Sequence, residues 1–263
     1  MTMKNDIGEL LREWPASDTD NVRMITDADG VEKVQVRVDQ GAFQGILQMN
    51  LDGRPDGRRP EGRDFVLDHF KDRQSHLLAQ QGDEDAFSLS EEDCGELFDE
   101  SFRIYQRYIF LLQIEDFSRV IRDTERNMEV FRFVNRYAVR EEDRMHLERW
   151  WPYILRINAT ATAMIHSRNN DLDRGLELIE AAVNRIENLD PVDAEEFDLE
   201  KKRSLEALDE LRVEIEAKKP ISRQEQLEEA MAQAIDHEDY ERAAEIRDQL
   251  NALKEPSPAP SGD

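Results

Sequence analysis

The chain has 263 residues, of which 39% are hydrophobic and 36% charged, and its formal net charge is −25. A field of that sign repels phosphate backbones and anionic lipid surfaces, so neither direct binding of duplex DNA nor membrane attachment is expected. A single cysteine, Cys94, excludes an intramolecular disulfide and a cysteine-based zinc ribbon. The five histidines (His69, His76, His146, His166, His237) have no i,i+4 pair and no HExxH, so no metal site and no cofactor is expected. The opening "MTMKNDIGELLREWP" lacks a basic start and an apolar core of a signal peptide, and no apolar run approaches ~20 residues. The expected location is cytoplasmic.

In chain order, residues 22–52 read as three antiparallel strands. Val34, Val36 and Val38 alternate, as do Leu47, Met49 and Leu51; Asp29-Gly30 marks one turn, and Gly41 and Gly45 bracket a second. So small a meander needs a helix on its apolar face. The segment 65–80, through Phe65, Val66, Phe70 and Leu77, is the expected cover, giving a first domain over 1–85. "GRPDGRRPEGR", 53–63, carries Arg54, Arg58, Arg59 and Arg63 against two acids. It reads either as a loop that forks onto an anion or as a loop whose arginines pair with the acidic body.

From about residue 90 the pattern is helical. Ser90 with Asp93, and Ser222 with Glu225, resemble capping boxes. Asp190-Pro191 places a cap before a helix-starting proline, and Pro152 starts or kinks the Trp150-Trp151 helix. Cys94 near a helix start reads as a buried structural thiol or a stabilised thiolate. Three times an apolar helix gives way to Asp, a large apolar residue, any residue, and Arg: Asp116–Arg119, Asp171–Arg174 and Asp239–Arg242. Asp116, Asp171 and Asp239 are the expected caps of the following helices, with the large neighbour closing each αα-hairpin and the Arg pairing back. The first two hairpins loosely resemble tetratricopeptide-type pairs, which implies a helical-repeat body over 86–190, with an ordinary bundle as the alternative. Residues 191–220 place Leu205, Leu208, Leu211 and Ile215 in a narrow stripe, read as a coiled-coil stalk or as a helix lying on the body. Residues 255–263, "EPSPAPSGD", are expected to be a disordered tail.

In the last segment, Leu227, Met231 and Ile235 form one stripe, and Ala243, Ile246, Leu250 and Leu253 the facing one, with Tyr240 placed to plug the open end. The stretch 227–253, with its Leu-led first helix, acidic-aromatic turn and "ERAAEIRDQL", resembles the UVR domain, the short motif shared by bacterial excinuclease subunits B and C. The resemblance implies a helical hairpin over 221–254 that binds another protein, a second UVR motif or its own copy among the options. With its strands and "GRPDG" ahead of helices and a terminal UVR motif, the whole chain resembles a group of uncharacterised bacterial UVR-motif proteins. The same module occurs in Clp-type ATPase chaperones and in the activator of protein arginine kinase, although that activator carries zinc-binding cysteines that this chain lacks. GxxxxGKS is absent, which excludes an excinuclease motor subunit. With no catalytic constellation in the sequence, the expected function is a non-enzymatic protein–protein adaptor, or alternatively an accessory factor of excision repair or a regulator of a stress-response system. Met231, Tyr240, Arg247 and Leu250 are the expected partner-binding residues. The fold class is α+β, mainly α: an N-terminal antiparallel meander, a helical-repeat-like body and a C-terminal UVR hairpin.

Overall fold

A computed structural model of the chain describes residues 6–17, 19–83, 86–219 and 223–254. The chain divides into two compact units, Met1–Glu216 and Ala217–Asp263. The boundaries expected near residues 85 and 190 therefore fall inside the first unit, and the expected tail, 255–263, lies outside the described residues.

In the first unit a short helix α1 (Gly8–Glu13) precedes the sheet of β1 (Val22–Thr26), β2 (Glu32–Gln40) and β3 (Phe43–Asn50), antiparallel in the order β1-β2-β3. Each turn forms where the chain can take positive φ at low cost. Gly30 sits at φ 81° beneath Asp27, whose carboxylate accepts from the amides of Asp29 and Val31 at 2.9 Å, and Gly41 sits at φ 58° between β2 and β3. Gly45 is not part of that turn. It lies within β3 opposite Val38, and the Phe43 ring covers it so closely that a Cβ there would meet the ring at 3.0 Å.

Among the described residues, seven α-helices complete this unit: α2 (Val66–Gln81), α3 (Glu91–Gln113), α4 (Phe117–Tyr137), α5 (Glu141–Glu148), α6 (Trp151–Arg168), α7 (Leu172–Glu187) and α8 (Glu195–Glu216). The sheet's main cover is not α2, although Phe65, just ahead of that helix, does pack against the sheet's core. Val22, Val34, Val36 and Leu51 share a core with Ile104, Tyr108 and Leu111 of α3, Phe117 and Val120 of α4, and Ile157 and Ala161 of α6. The reason is the width of the apolar face. Only Val66, Leu67 and Phe70 of α2 are buried, all in its first turns, and they join a second core around Phe87, Leu97, Phe131 and Val134. Helix α3 buries apolar residues along its whole length and can serve both cores.

The Ser90/Asp93 capping box is present at the start of α3, with both reciprocal hydrogen bonds. Pro152 falls at the start of α6. Asp190 caps nothing helical, because α8 begins only at Glu195. The stripe expected for a stalk is core instead. Leu208, Leu211 and Ile215 are buried with α6 and α7 in the larger apolar cluster, so α8 is a helix of the body, the second of the two readings open for it. The Ser222/Glu225 box lies outside the described residues.

Cys94 is fully buried, and burial beside Asp143 and Asp93 pushes its thiol up to about 11. The thiolate reading is thereby corrected, since helix position does not offset the loss of solvent. We expect no reaction of Cys94 with a thiol reagent at pH 8 in the native protein and one equivalent after denaturation. Rapid stoichiometric labelling of the native chain would contradict this placement.

Candidate functional site

The second unit is a helical hairpin, α9 (Arg223–Asp236) and α10 (Tyr240–Lys254). Its turn is tight. The amide of Glu238, at φ 57°, donates to the Ile235 carbonyl at 3.0 Å, and the Asp239 amide donates to the Ala234 carbonyl at 2.8 Å. This six-to-one closure with a left-handed residue is the Schellman arrangement, which satisfies the last carbonyls of α9. Asp239 then caps α10 at once, its carboxylate accepting from the Arg242 amide at 3.1 Å.

The same backbone recurs twice in the first unit. Glu115 and Asn170 stand at φ 61° and 59°, and the amides of Asp116 and Asp171 donate to the carbonyls of Leu111 and His166, both at 2.9 Å. The side chains do not repeat so faithfully. Asp116 accepts from the Arg119 amide at 3.3 Å and pairs with its guanidinium at 2.7 Å. Asp171 makes no cap hydrogen bond; it meets His166 at 2.9 Å, while Arg174 reaches Glu177. Phe117 and Leu172 are buried, as expected of hairpin plugs, but Tyr240 is 68% exposed. Asp239→Ala should therefore cost about 1 kcal/mol and Asp116→Ala about 1–2 kcal/mol, as lost caps do. Asp171→Ala should cost less than about 0.5 kcal/mol, as an exposed pair does. Denaturant melts showing equal losses at all three sites would contradict this ranking.

The hairpin's core is Leu227, Ala234, Ile246 and Leu250, with Ala230, Met231 and Ala243 packed against it. The seam of α9 thus runs i, i+3, i+4, i+7 through two alanines, rather than i, i+4, i+8. Ile235 falls outside it and is 49% exposed. The spacing of Ala230 and Ala234 was the available signal, because small residues on a seam let two helices approach closely. Of the expected partner-binding residues, Leu250 is corrected to core, where it is 6% exposed, and Met231 is half-buried beside it. Tyr240 and Arg247 are exposed, and Arg247 touches the neighbouring Asp248 at 3.1 Å. Leu253 lies among residues whose side chains are not described. The accessible side chains are then Ile235 and Tyr240 on either side of the turn, and Arg247 one face along α10. Around them is an acidic ground, for residues 224–253 carry nine acids and two arginines.

In the arginine loop only Arg54 turns inward, while Arg59 and Arg63 form pairs at the surface. Arg54 bridges Asp56 at 2.8 Å and Glu100 at 3.3 Å, Arg59 pairs with Asp64 at 3.0 Å, and Arg63 pairs with Asp72 at 2.5 Å. Arg58 makes no ion pair among the described residues, although its amide donates to Asp56. Three of the four guanidinium groups face carboxylates, which favours the second of the two readings open for the loop, pairing with the acidic body. The Arg54 hydrogen bond holds Asp56 down at about 2. Glu100, fully buried on α3, accepts from the amides of Val66 and Leu67 at 2.7 and 3.2 Å, so it caps α2 from a neighbouring helix. Burial raises its pKa, and those two amides and Arg54 oppose the rise.

Sequence patterning did not reveal the pair beneath this loop. Arg107 of α3, fully buried, forks onto Asp123 of α4 at 2.6 and 2.8 Å. Its third nitrogen donates to the carbonyls of Asn50 and Gly53 at 2.8 and 2.7 Å. Asp123 also accepts from Arg122, which reaches the Leu51 carbonyl and Asp52. The end of β3, the loop and two helices are thus fixed by one satisfied polar network.

Among the described residues, no group of three or more His, Cys, Asp or Glu side chains is placed to hold a metal ion, and no helix is long and apolar enough to cross a membrane. No curated protein and no solved structure matches the chain. A family model does match, over residues 222–255, and its description is the UvrB/uvrC motif; the C-terminal hairpin is a UVR motif, a protein-interaction module.

Proposed function

We propose that the protein is a non-enzymatic cytoplasmic adaptor, of bacterial type, that engages one protein partner through its C-terminal hairpin. The observation that carries this reading is the hairpin's division of its apolar residues. Leu227, Ala234, Ile246 and Leu250 close a core, while Ile235 and Tyr240 stay exposed beside the turn. A unit this small spends nearly all its apolar residues on its own core, so a large aliphatic and an aromatic left outside are available to a partner.

Charge narrows the partner. The hairpin is acidic over its whole length, so two copies repel one another, and a partner whose apolar anchor is ringed by Lys and Arg is favoured. Homotypic pairing is disfavoured for the same reason, and a grip on DNA by this face more so. The UVR match supports a second UVR-bearing protein as that partner. An accessory role in excision repair, or regulation of a Clp or arginine-kinase system, would follow from which one it is.

Affinity capture from host lysate with the full chain, against the chain ending at residue 220, tests the reading. Proteins retained by the full chain and lost on truncation should include a UVR-bearing subunit of an excinuclease or a protease–kinase complex. Identical capture by both would overturn it.

A further inference from the structure

The first unit holds a cavity of about 400 Å³ between α3, α4, α5, α6 and α8. Its volume lies within the range of small-molecule sites. Its wall is aromatic to an unusual degree. Phe102 and Trp150 are exposed at 58% and 37%, while Tyr105 and Tyr153 are half-buried, with Tyr105 stacked on Phe102 at 5.9 Å and edge-on to Tyr153 at 5.9 Å.

The polar side chains of Asn127 and Glu200 line the cavity with these rings. Asn127 of α4 is 1% exposed, and its Nδ2 donates to the Ser101 carbonyl at 2.9 Å. That bond fixes the amide's orientation, since a flip would set oxygen against oxygen. The Oδ1 left over is buried without a hydrogen-bond partner. The carboxylate of Glu200, on α8, is half-buried and touches Arg203 at 3.2 Å through one oxygen. No Lys or Arg lines the cavity among the described residues; Arg156, outside the wall, stands over one ring, Tyr153, at 5.1 Å. His146 in the wall is held below its ordinary pKa by burial and by Arg149, so it adds no positive charge near neutrality.

We propose that this cavity binds an organic amine: a ligand whose ammonium group lies against the Phe102, Tyr105 and Trp150 rings and Glu200, and whose apolar body fills the pocket. Ring faces attract cations through their quadrupole, a carboxylate adds to that attraction, and a wall without fixed positive charge rejects anions. A neutral ligand of the same shape would gain neither attraction. The inference does not depend on the hairpin's role, because every residue of the site belongs to the first unit.

Three indoles of one shape separate the alternatives: tryptamine, the neutral alcohol tryptophol, and indole-3-acetate. Binding to the full chain is measured by calorimetry or ligand-detected NMR. Tryptamine should bind about tenfold more tightly than tryptophol, and indole-3-acetate most weakly. Glu200→Gln should weaken tryptamine about fivefold and leave tryptophol within twofold, whereas Glu206→Gln, on the same helix but outside the wall, should change neither. Phe102→Ala, at the exposed rim, should weaken all three with the fold intact by circular dichroism. Equal affinity for the three indoles, no binding of any, or a tryptamine affinity indifferent to Glu200→Gln would overturn the proposal.

Discussion

Asp123→Ala should destabilise the first unit by about 3–5 kcal/mol, the usual result of stripping one partner from a buried ion pair. Arg107 would keep its two carbonyl contacts but hold its charge in a fully buried site with no carboxylate opposite. For a unit of this size the melting temperature should fall by about 10 °C. All three tryptophans, Trp14, Trp150 and Trp151, lie in this unit, so their fluorescence follows its unfolding without interference from the hairpin. Replacing both partners together, Arg107→Met with Asp123→Leu, should recover much of the loss, because the cost lies in the uncompensated charge. A single Asp123→Ala variant within 1 kcal/mol of the parent, on the scale of an exposed pair, would mean that the pair is wet rather than buried.

The second large effect is on binding. Tyr240→Ala should weaken partner affinity by at least about 2 kcal/mol, which is roughly thirtyfold in Kd. The variant should keep its helix content, since a side chain 68% exposed contributes little to the hairpin's core. Leu250→Ala should act by the opposite route. It removes a buried side chain from a core of four residues at a cost of about 2–5 kcal/mol, so helicity and binding should be lost together. Calorimetric titration of each variant, with circular dichroism of the free chain, separates the two. If Tyr240→Ala retained full affinity while Leu250→Ala abolished it, the partner would be reading the hairpin's shape rather than this surface.

What the sequence disclosed follows from the range of the forces involved. The β2 valine alternation, the glycine turns, the Ser90/Asp93 box and the Asp-led hairpin turns are local, and each is set by residues within five positions of one another. Pairing between elements is not local. The 205–215 stripe was visible, but whether it faced a second copy or the body depended on α6 and α7. The same limit hid the sheet's true cover, because α3 and α2 both offer apolar faces and only the three-dimensional fit chooses. Arg107 looked like one more charge in an acidic chain; its carboxylate is 16 residues away and its carbonyls more than 50. In the hairpin the facing stripe of Ala243, Ile246 and Leu250 was legible, but on α9 the i, i+4, i+8 spacing favours Ile235, whereas Ala230 and Ala234 form the seam, and the partner-binding role expected of Leu250 conflicts with its place in the core.

The hairpin as the partner-binding element is the central claim, and hydrogen–deuterium exchange on the full chain tests it most directly. Exchange is compared with and without the captured partner at saturating concentration. New protection should concentrate in residues 223–254, strongest around the turn that carries Ile235 and Tyr240. Protection confined to the helices of the first unit, with the hairpin exchanging as in the free protein, would contradict the account.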